Sequence, residues 1–548
     1  MPVPARLVGW PFLGFVLVVL GGCAQLLGLE SPSSGGPAGG DASVPGGDDG
    51  GVGGMCTGES VTCYTGPTGT ADEGACRSGT QACVEGAPSG ACMNETLPSV
   101  ERCGGAADGV DEDCDGVPSC VGTFIDGLEN TLPVGTFGQN IDGLAEDAAG
   151  NFYVGGTYDN AFSIGGLSVP PAQGNHDAFL MKVDARLHPL WLTPFQGEGY
   201  QEVTDVVLAP DGGMFVAFEF TTAFNETITV GQQMFHTGNV GSGQVLVTRV
   251  DSEGAFAWGV LFSSDDFPVA RLVALPGGDV GVIYQTTTSA NLDDTAGTFV
   301  DLDDRIVGDG QVGAATVGHF VRLDQDGRHV SHLAFANPAG DDITVSAAAV
   351  DGNDLYLGGR VGQFEFSSHA FCEGTFVYRA KLSDYTPVEC YNLPPAITDA
   401  PNSIAVDHTG GVYVAGTQTS APEHSMLLAH ASMPQWIVSG NMVGRSVAVD
   451  AAGQVVVVGG CSGAVDFSPG VAGGEDTANA TDICFAKYTG AGTLLWAQIF
   501  GDGDAQGAGN VVVDATGRPT ISAGFRGVVN FGGGPRSDKS IALERFAP

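Results

Sequence analysis

The sequence predicts an all-β fold built as a ring of equal sheet units, and three observations predict it. Between Ile141 and Pro548 the chain repeats one pattern seven times: a short apolar strand, an Asp-Gly turn, a second strand, a variable loop, and an apolar strand ending in Lys or Arg. A basic residue and a tryptophan each recur at one position of the unit. The last unit stops early, and the strand it lacks has a counterpart at the start of the array. An array of equal sheet units is stable once neighbours stack, so residues 121–548 read as a seven-bladed β-propeller. A flexible linker and a small disulfide-rich module precede it.

The turn comes first in each unit. Residues 511–518 read VVVDATGR and 447–454 read VAVDAAGQ; earlier copies are IAVDHTGG from Ile404, AAVDGNDL from Ala348, VLAPDGGM from Val207 and LAEDAAGN from Leu144. A seventh, LVALPGGD from Leu272, keeps the glycine pair without the Asp. An Asp side chain caps its own turn, and Gly accepts the positive φ that closes a tight hairpin. The β-branched and aromatic runs on either side, such as Val412 to Val414 and Val455 to Val458, are strands. Aligning the turns on residues 147, 210, 276, 351, 407, 450 and 514 gives spacings of 43 to 75 residues, with the variation concentrated in one loop per unit.

A later strand carries Lys182, Arg249, Arg322, Lys381, Lys487 and Arg545, with His430 in the fifth unit. The strand after it carries Trp191, Trp258, Trp436 and Trp496, four of the five tryptophans in one slot, which marks them as packing between units. The chain ends at Pro548 without room for that strand in the seventh unit; TLPVGTFG from Thr131 aligns with LLWAQIFG from Leu494 and supplies it. Closure of this kind removes the sheet edges that would template aggregation.

The motifs VAVDAAGQVVVVGG, GAVDFSPG from Gly463, DICFAKYTGAGTLLWAQIFG from Asp482 and GVVNFGGG from Gly527 resemble the bacterial β-propeller repeat family often called SBBP. The resemblance spans nearly all of residues 137–548, is strongest in the last two units and weakest in the third and fifth. It implies a propeller in an extracytoplasmic setting and carries no family-wide catalytic residues.

Ahead of the ring, residues 1–22 read as a signal peptide: Arg6, an apolar stretch from Leu7 to Leu20 too short to span a bilayer, then Gly21-Gly22-Cys23. Leu20 to Cys23 resembles a bacterial lipobox, which implies lipidation of Cys23 and membrane attachment through that lipid. Ala24 follows Cys23 where inner-membrane retention is associated with aspartate, so the expected location is the outer membrane or cell surface of a Gram-negative bacterium. Residues 23–55 are rich in Gly, Ser, Pro and Asp and serve as a tether.

Residues 56–120 hold eight cysteines, Cys56, Cys63, Cys76, Cys83, Cys92, Cys103, Cys114 and Cys120, in a segment poor in large apolar residues, which predicts a disulfide-stapled module in an oxidising compartment. Their connectivity does not follow from sequence. Within the ring, Cys372 with Cys390 and Cys461 with Cys484 are expected to pair inside single units. No CxxC pair or clustered His supports zinc. Residues 111–116 read DEDCDG: Asp111, Asp113 and Asp115 on alternate positions, then Gly116, with the Val117 carbonyl as a fourth oxygen. That is the first half of a calcium loop, and Gly122 stands where an EF-hand requires its Glu. The stretch ERCGGAADGVDEDCDG is similar to the metal-binding motif of MopE-type surface proteins, a family name linked to copper; three carboxylates without a free soft ligand favour Ca2+ here.

The charge is strongly acidic, 20 basic against 63 acidic residues for a net −43, which repels nucleic acid and anionic headgroups. No catalytic residue stands out. Asp147, Asp211, Asp351, Asp407, Asp450 and Asp514 obey the repeat as turn residues, and the ten histidines share no repeat position. His329 and His332, three apart on a strand, are expected to face opposite ways. The expected function is a monomeric surface scaffold that binds protein or glycan on its loop face. The alternative is an extracellular polysaccharide hydrolase or lyase, with the acidic segment 285–316 (NLDD, DLDD) over the mouth; non-repeating Asp, Glu, His or Tyr from at least three blades at the channel mouth would mark such an enzyme.

Overall fold

The computed structural model describes residues 60–66, 71–72, 75–84, 87–97, 122–131 and, apart from short stretches of the connecting segments, 140–548. The chain divides into two units, Met1–Gly54 and Met55–Pro548, and the described residues belong to the second. They contain strands and turns and no helix. Cys23, Cys56, Cys103, Cys114, Cys120 and the Asp111, Asp113, Asp115 and Val117 set lie outside the described residues.

Ser60–Cys63, Gly79–Val84 and Ala87–Met93 form a small antiparallel sheet. Its side chains are mostly exposed, so apolar burial supplies little of its stability. The Cys63–Cys92 disulfide ties its outer strands, and Cys76 and Cys83 are also disulfide-bonded.

Among the described residues, seven further sheets each contain an antiparallel meander of four strands. The first runs Asn140–Glu146, Phe152–Tyr158, Asp177–Val183 and Pro189–Phe195. The leading strands of the others are Tyr200–Leu208, Val269–Ala274, Thr344–Asp351, Ser403–Val406, Met442–Val449 and Gln506–Val513. Each leading strand touches that of the next sheet, and Gln506–Val513 returns to Asn140–Glu146, so the leading strands form a closed, propeller-like ring. Side chains clasp them: Leu272 N donates to Asp205 Oδ2 at 2.8 Å, Val447 N to Ser403 Oγ at 3.3 Å and Val511 N to Ser446 Oγ at 3.2 Å. A Cβ at Gly143 would sit 2.7 Å from Val206 N, so only glycine admits this approach between the first two sheets.

The second strand of each sheet is buried on both faces, which explains the unbroken apolar runs: every residue of Phe152–Tyr158 is buried, and so are Val455 to Val458. The cores lie between sheets. Phe215, Val247 and Trp258 of the second sheet pack with Val280, Tyr284 and Val321 of the third. Trp496 of the sixth packs with Phe124 and Phe546 of the seventh, in keeping with the shared tryptophan slot.

The turn acids cap as expected in four units. Oδ1 of Asp147, Asp407, Asp450 and Asp514 accepts from the N–H groups two and four residues ahead, at 2.8 to 3.0 Å. In the second and third units the equivalent residues, by backbone pairing to Gly213 and Asp279, are Ala209 and Leu275, one position before the 210 and 276 of the sequence alignment. Asp211 pairs with Arg249 instead, and Asp351 borders a two-residue Gly-Asn hairpin. A second set of caps, unread in the sequence, closes the other hairpin of the unit: Asp184, Asp251 and Asp324 accept the same two N–H groups.

Three further expectations are corrected. The closing strand is Phe124–Thr131, paired antiparallel to Pro535–Phe546 with Leu128 opposite Leu543, so it ends where the sequence alignment began it. Phe124 and Leu128 bring buried apolar side chains to this strand, whereas the TLPV segment carries a proline that cannot donate to a ladder. In the fourth unit the residue equivalent to Lys182 is Arg379, opposite Tyr356 as Lys182 is opposite Tyr153, and not Lys381. His329 and His332 lie on one face, with Nε2 and Nδ1 3.0 Å apart, because a bulge at Val330 inserts one residue and reverses the alternation.

Candidate functional site

The candidate site grows from a recurring defect in the leading strands. In the first, second, fourth, sixth and seventh sheets the pairing of the first two strands slips, leaving Asp142, Thr204, Ser346, Arg445 and Gly509 with Asn510 unpaired. In the fifth, Asn402 and Ser403 both face Ala415. Each of these positions lies five residues ahead of the unit's turn residue. A bulge residue is released from the ladder and re-aimed, and all of these line one cavity of about 880 Å3. The third sheet has no bulge between its first two strands; its equivalent residue is the buried Ala270, and the neighbouring Arg271 reaches the cavity.

Every one of the seven sheets contributes to the lining, so this is the ring's central cavity. Its lining residues sit at the starts of leading strands and the ends of second strands, which places it at the end of the sheets where the variable loops leave. The backbone repeats while the side chains do not: carboxylate, hydroxyl, amide and guanidinium occupy one structural position in different sheets.

The ionisable groups cluster by sheet. Asp142 belongs to the first, Glu202, Asp205 and Glu219 to the second, Arg271 to the third, Arg445 to the sixth, and Arg526 and Lys539 to the seventh. Glu202 and Glu219 are directly opposite on neighbouring strands, a placement that like charges disfavour. Burial pushes the Glu219 carboxyl up to about 7, Glu202 adds to the rise, and Arg271 opposes it. The Tyr200 hydroxyl donates to Glu202, and burial with that carboxylate drives the phenol upward. Asp205 is also raised by burial, against Arg271 and the N–H groups of Leu272 and Val206, and its bonds make it a clasp between sheets. Arg271 Nη1 donates to the carbonyls of Thr204 and Ala270 at 3.1 Å. Arg445 is exposed to the cavity and makes no hydrogen bond or ion pair with the described residues.

Among the described residues the acids at this mouth come from the first and second sheets and the basic residues from the third, sixth and seventh, while the fourth and fifth contribute Ser346, Asn402 and Ser403. Of the acidic segment 285–316, Gln285 lines the cavity, while two described strands lie at outer edges: Asn291–Asp293 pairs with the outer strand of the second sheet and Ile306–Val307 with that of the third. The GDGD acid Asp502 accepts from Val528 N, Asp504 N and the Gln506 amide, a loop clamp. Cys372–Cys390 and Cys461–Cys484 are disulfides, each joining adjacent strands of one sheet. No group of three or more metal-ligating side chains occurs among the described residues. The sequence reading missed the cavity residues because their signal is a position that varies between units, and only the bulge registers identify it.

No family model matches the chain, and no curated protein matches it. Among solved structures it is similar to a catalytically inactive virginiamycin B lyase from Staphylococcus aureus, determined with quinupristin: 10% identity, 76% of this chain and 99% of that chain covered, TM-score 0.35. A likeness at that level carries no argument here.

Proposed function

We propose that the seven sheets are the blades of one β-propeller and that it acts as a binding scaffold for a protein or glycan ligand, received in the central cavity on the variable-loop side. The observation that carries this reading is the ring of bulge residues, whose backbone placement repeats while its chemistry changes from sheet to sheet. A polar cavity of about 880 Å3 is within the size range of small-ligand sites. In the same reading Cys23 carries the lipid that holds the protein at the outer membrane or cell surface, and the disulfide module is a spacer stiffened by calcium at Asp111, Asp113 and Asp115.

The test of the cavity is to probe arrays of defined peptides and glycans with the purified protein and with Ala505→Trp, which places a large side chain at an exposed lining position. Ligands lost in the variant at unchanged melting temperature support the reading; ligands retained equally by both proteins overturn it. Calcium is tested separately by calorimetric titration, where saturable binding is expected to vanish in Asp113→Ala.

The opposed Glu202 and Glu219 favour a second reading, a polysaccharide hydrolase or lyase, because a carboxyl that burial pushes up to about 7, directly opposite a second carboxyl, is a candidate general acid-base pair. Release of reducing or unsaturated ends from a polysaccharide, abolished in Glu219→Gln, would establish it.

A further inference from the structure

The charges of the cavity are segregated. Glu202 and Glu219 form one pole on the second sheet and Arg445 the other on the sixth; Asp142 and Arg526 lie between them, on the adjoining first and seventh sheets. Following the closed order of leading strands, the second and sixth sheets are separated by the seventh and first on one side and by the third, fourth and fifth on the other, as far apart as a ring of seven allows, so these two poles face each other across it. Arg271 and Lys539 add little to either pole. Arg271 is spent on two backbone carbonyls, and Lys539 donates to the Asn130 carbonyl at 3.1 Å with Glu129 3.7 Å away.

Arg445 stands out further. The chain has only 20 basic residues, and those on the strands are mostly engaged: Lys182 and Arg545 on turn carbonyls, Arg322, Arg379 and Lys487 on aspartates. A guanidinium with no partner among the described residues, released by a bulge toward a cavity in a chain of net charge −43, is an anion receptor whose planar fork matches a carboxylate. The opposite pole excludes a polyanion, and the arginine pole excludes a polycation. A ligand that satisfies both carries one charge of each sign at separate points.

Resting on the reading of the cavity as the binding site, we propose that its ligand is a short peptide held by both free termini, with the carboxylate on Arg445 and the ammonium between Glu202 and Glu219. The experiment is affinity selection, read by mass spectrometry, with a mixed-sequence tetrapeptide library in four end states: free, N-acetylated, C-amidated and doubly blocked. The wild-type protein is expected to retain free peptides at least tenfold over either singly blocked set. Arg445→Gln should abolish discrimination against the amide and Glu202→Gln discrimination against the acetyl group. Equal retention of blocked and free peptides, or no retention of peptides at all, overturns the proposal. If neutral tetrasaccharides are retained instead and are lost in Ala505→Trp, the peptide assignment fails while the cavity remains the site. If bound peptides are indifferent to Ala505→Trp, both fail.

Discussion

Lys487 and Asp450 are almost entirely buried, 3.1 Å apart, and lysine also donates to the Gly517 carbonyl at 3.2 Å. Removing one partner of such a pair leaves a charge without water or counterion, so Lys487→Met should lower the unfolding free energy by about 3–5 kcal/mol in denaturant titration. The double variant Asp450→Asn with Lys487→Met should recover part of that loss. Arg518 with Asp514, more than a third exposed on the arginine, is the contrast: Arg518→Ala should cost under about 1 kcal/mol. The carboxyls set the pH response. Burial pushes Glu146 up to about 7, with Asp514 adding and Arg545 opposing, and Glu544 up to about 8 against Arg536, with Glu129 adding. A raised folded pKa means the folded state holds a proton that the unfolded chain has released, so these groups lose stability as pH rises from the unfolded value near 4.5 to about 7 or 8. Asp147, Asp407 and Asp514 act oppositely. Burial raises them, but turn N–H groups and side-chain donors outweigh it and hold them low, so their contribution is present above the unfolded value of 3.8 and lost as pH falls through the folded one. Melting temperature should therefore fall between pH 5 and 8, and Glu544→Gln should flatten that slope; a melting temperature that rises across this range would contradict the assignment.

At the scale of elements, the hairpin turns and the inner and outer bulges do different work. The capped turns fix the register that keeps the second strand buried on both faces, and the inner bulges release residues into the cavity. Outer bulges release Leu190, Val330 and Leu495, which are among the exposed large apolar residues. Cys461–Cys484 joins the second and third strands of the sixth sheet across 23 residues. Replacing both cysteines by serine should cost roughly 2–4 kcal/mol, read as a lower denaturation midpoint. Turn capping was legible because Asp and Gly at fixed spacing have one economical local geometry. The bulges were not, since a bulge is a mismatch between two strands and neither strand encodes it alone. The same reason hid the contact between His329 and His332.

The whole molecule depends on its closure. Phe124–Thr131 completes the sheet that holds the C-terminal strand, and its Glu129 meets Arg536 at 2.8 Å beside the buried Glu544. Arg536 also stacks 4.5 Å from the Phe124 ring. Deleting residues 124–131 would expose an unpaired strand edge, Pro535–Phe546, and strip a phenylalanine from the core between the sixth and seventh sheets. The expected outcome is a lower melting temperature with concentration-dependent association on size exclusion; an unchanged monomer of unchanged stability would show that the ring does not rely on this strand.

By itself the sequence determined the all-β class, the sevenfold repeat, the intra-unit cysteine pairs and the need for a closing strand, because turn chemistry and strand periodicity are local and are repeated seven times. Tertiary structure decided which eight residues close the ring, which turn positions are equivalent, and which side chains meet at the centre. Asp142, Arg445, Glu202 and Glu219 are spread over about 300 residues and share no motif; what brings them to one cavity is the stacking of sheets, which is set by the cores between them and not by any segment of the chain.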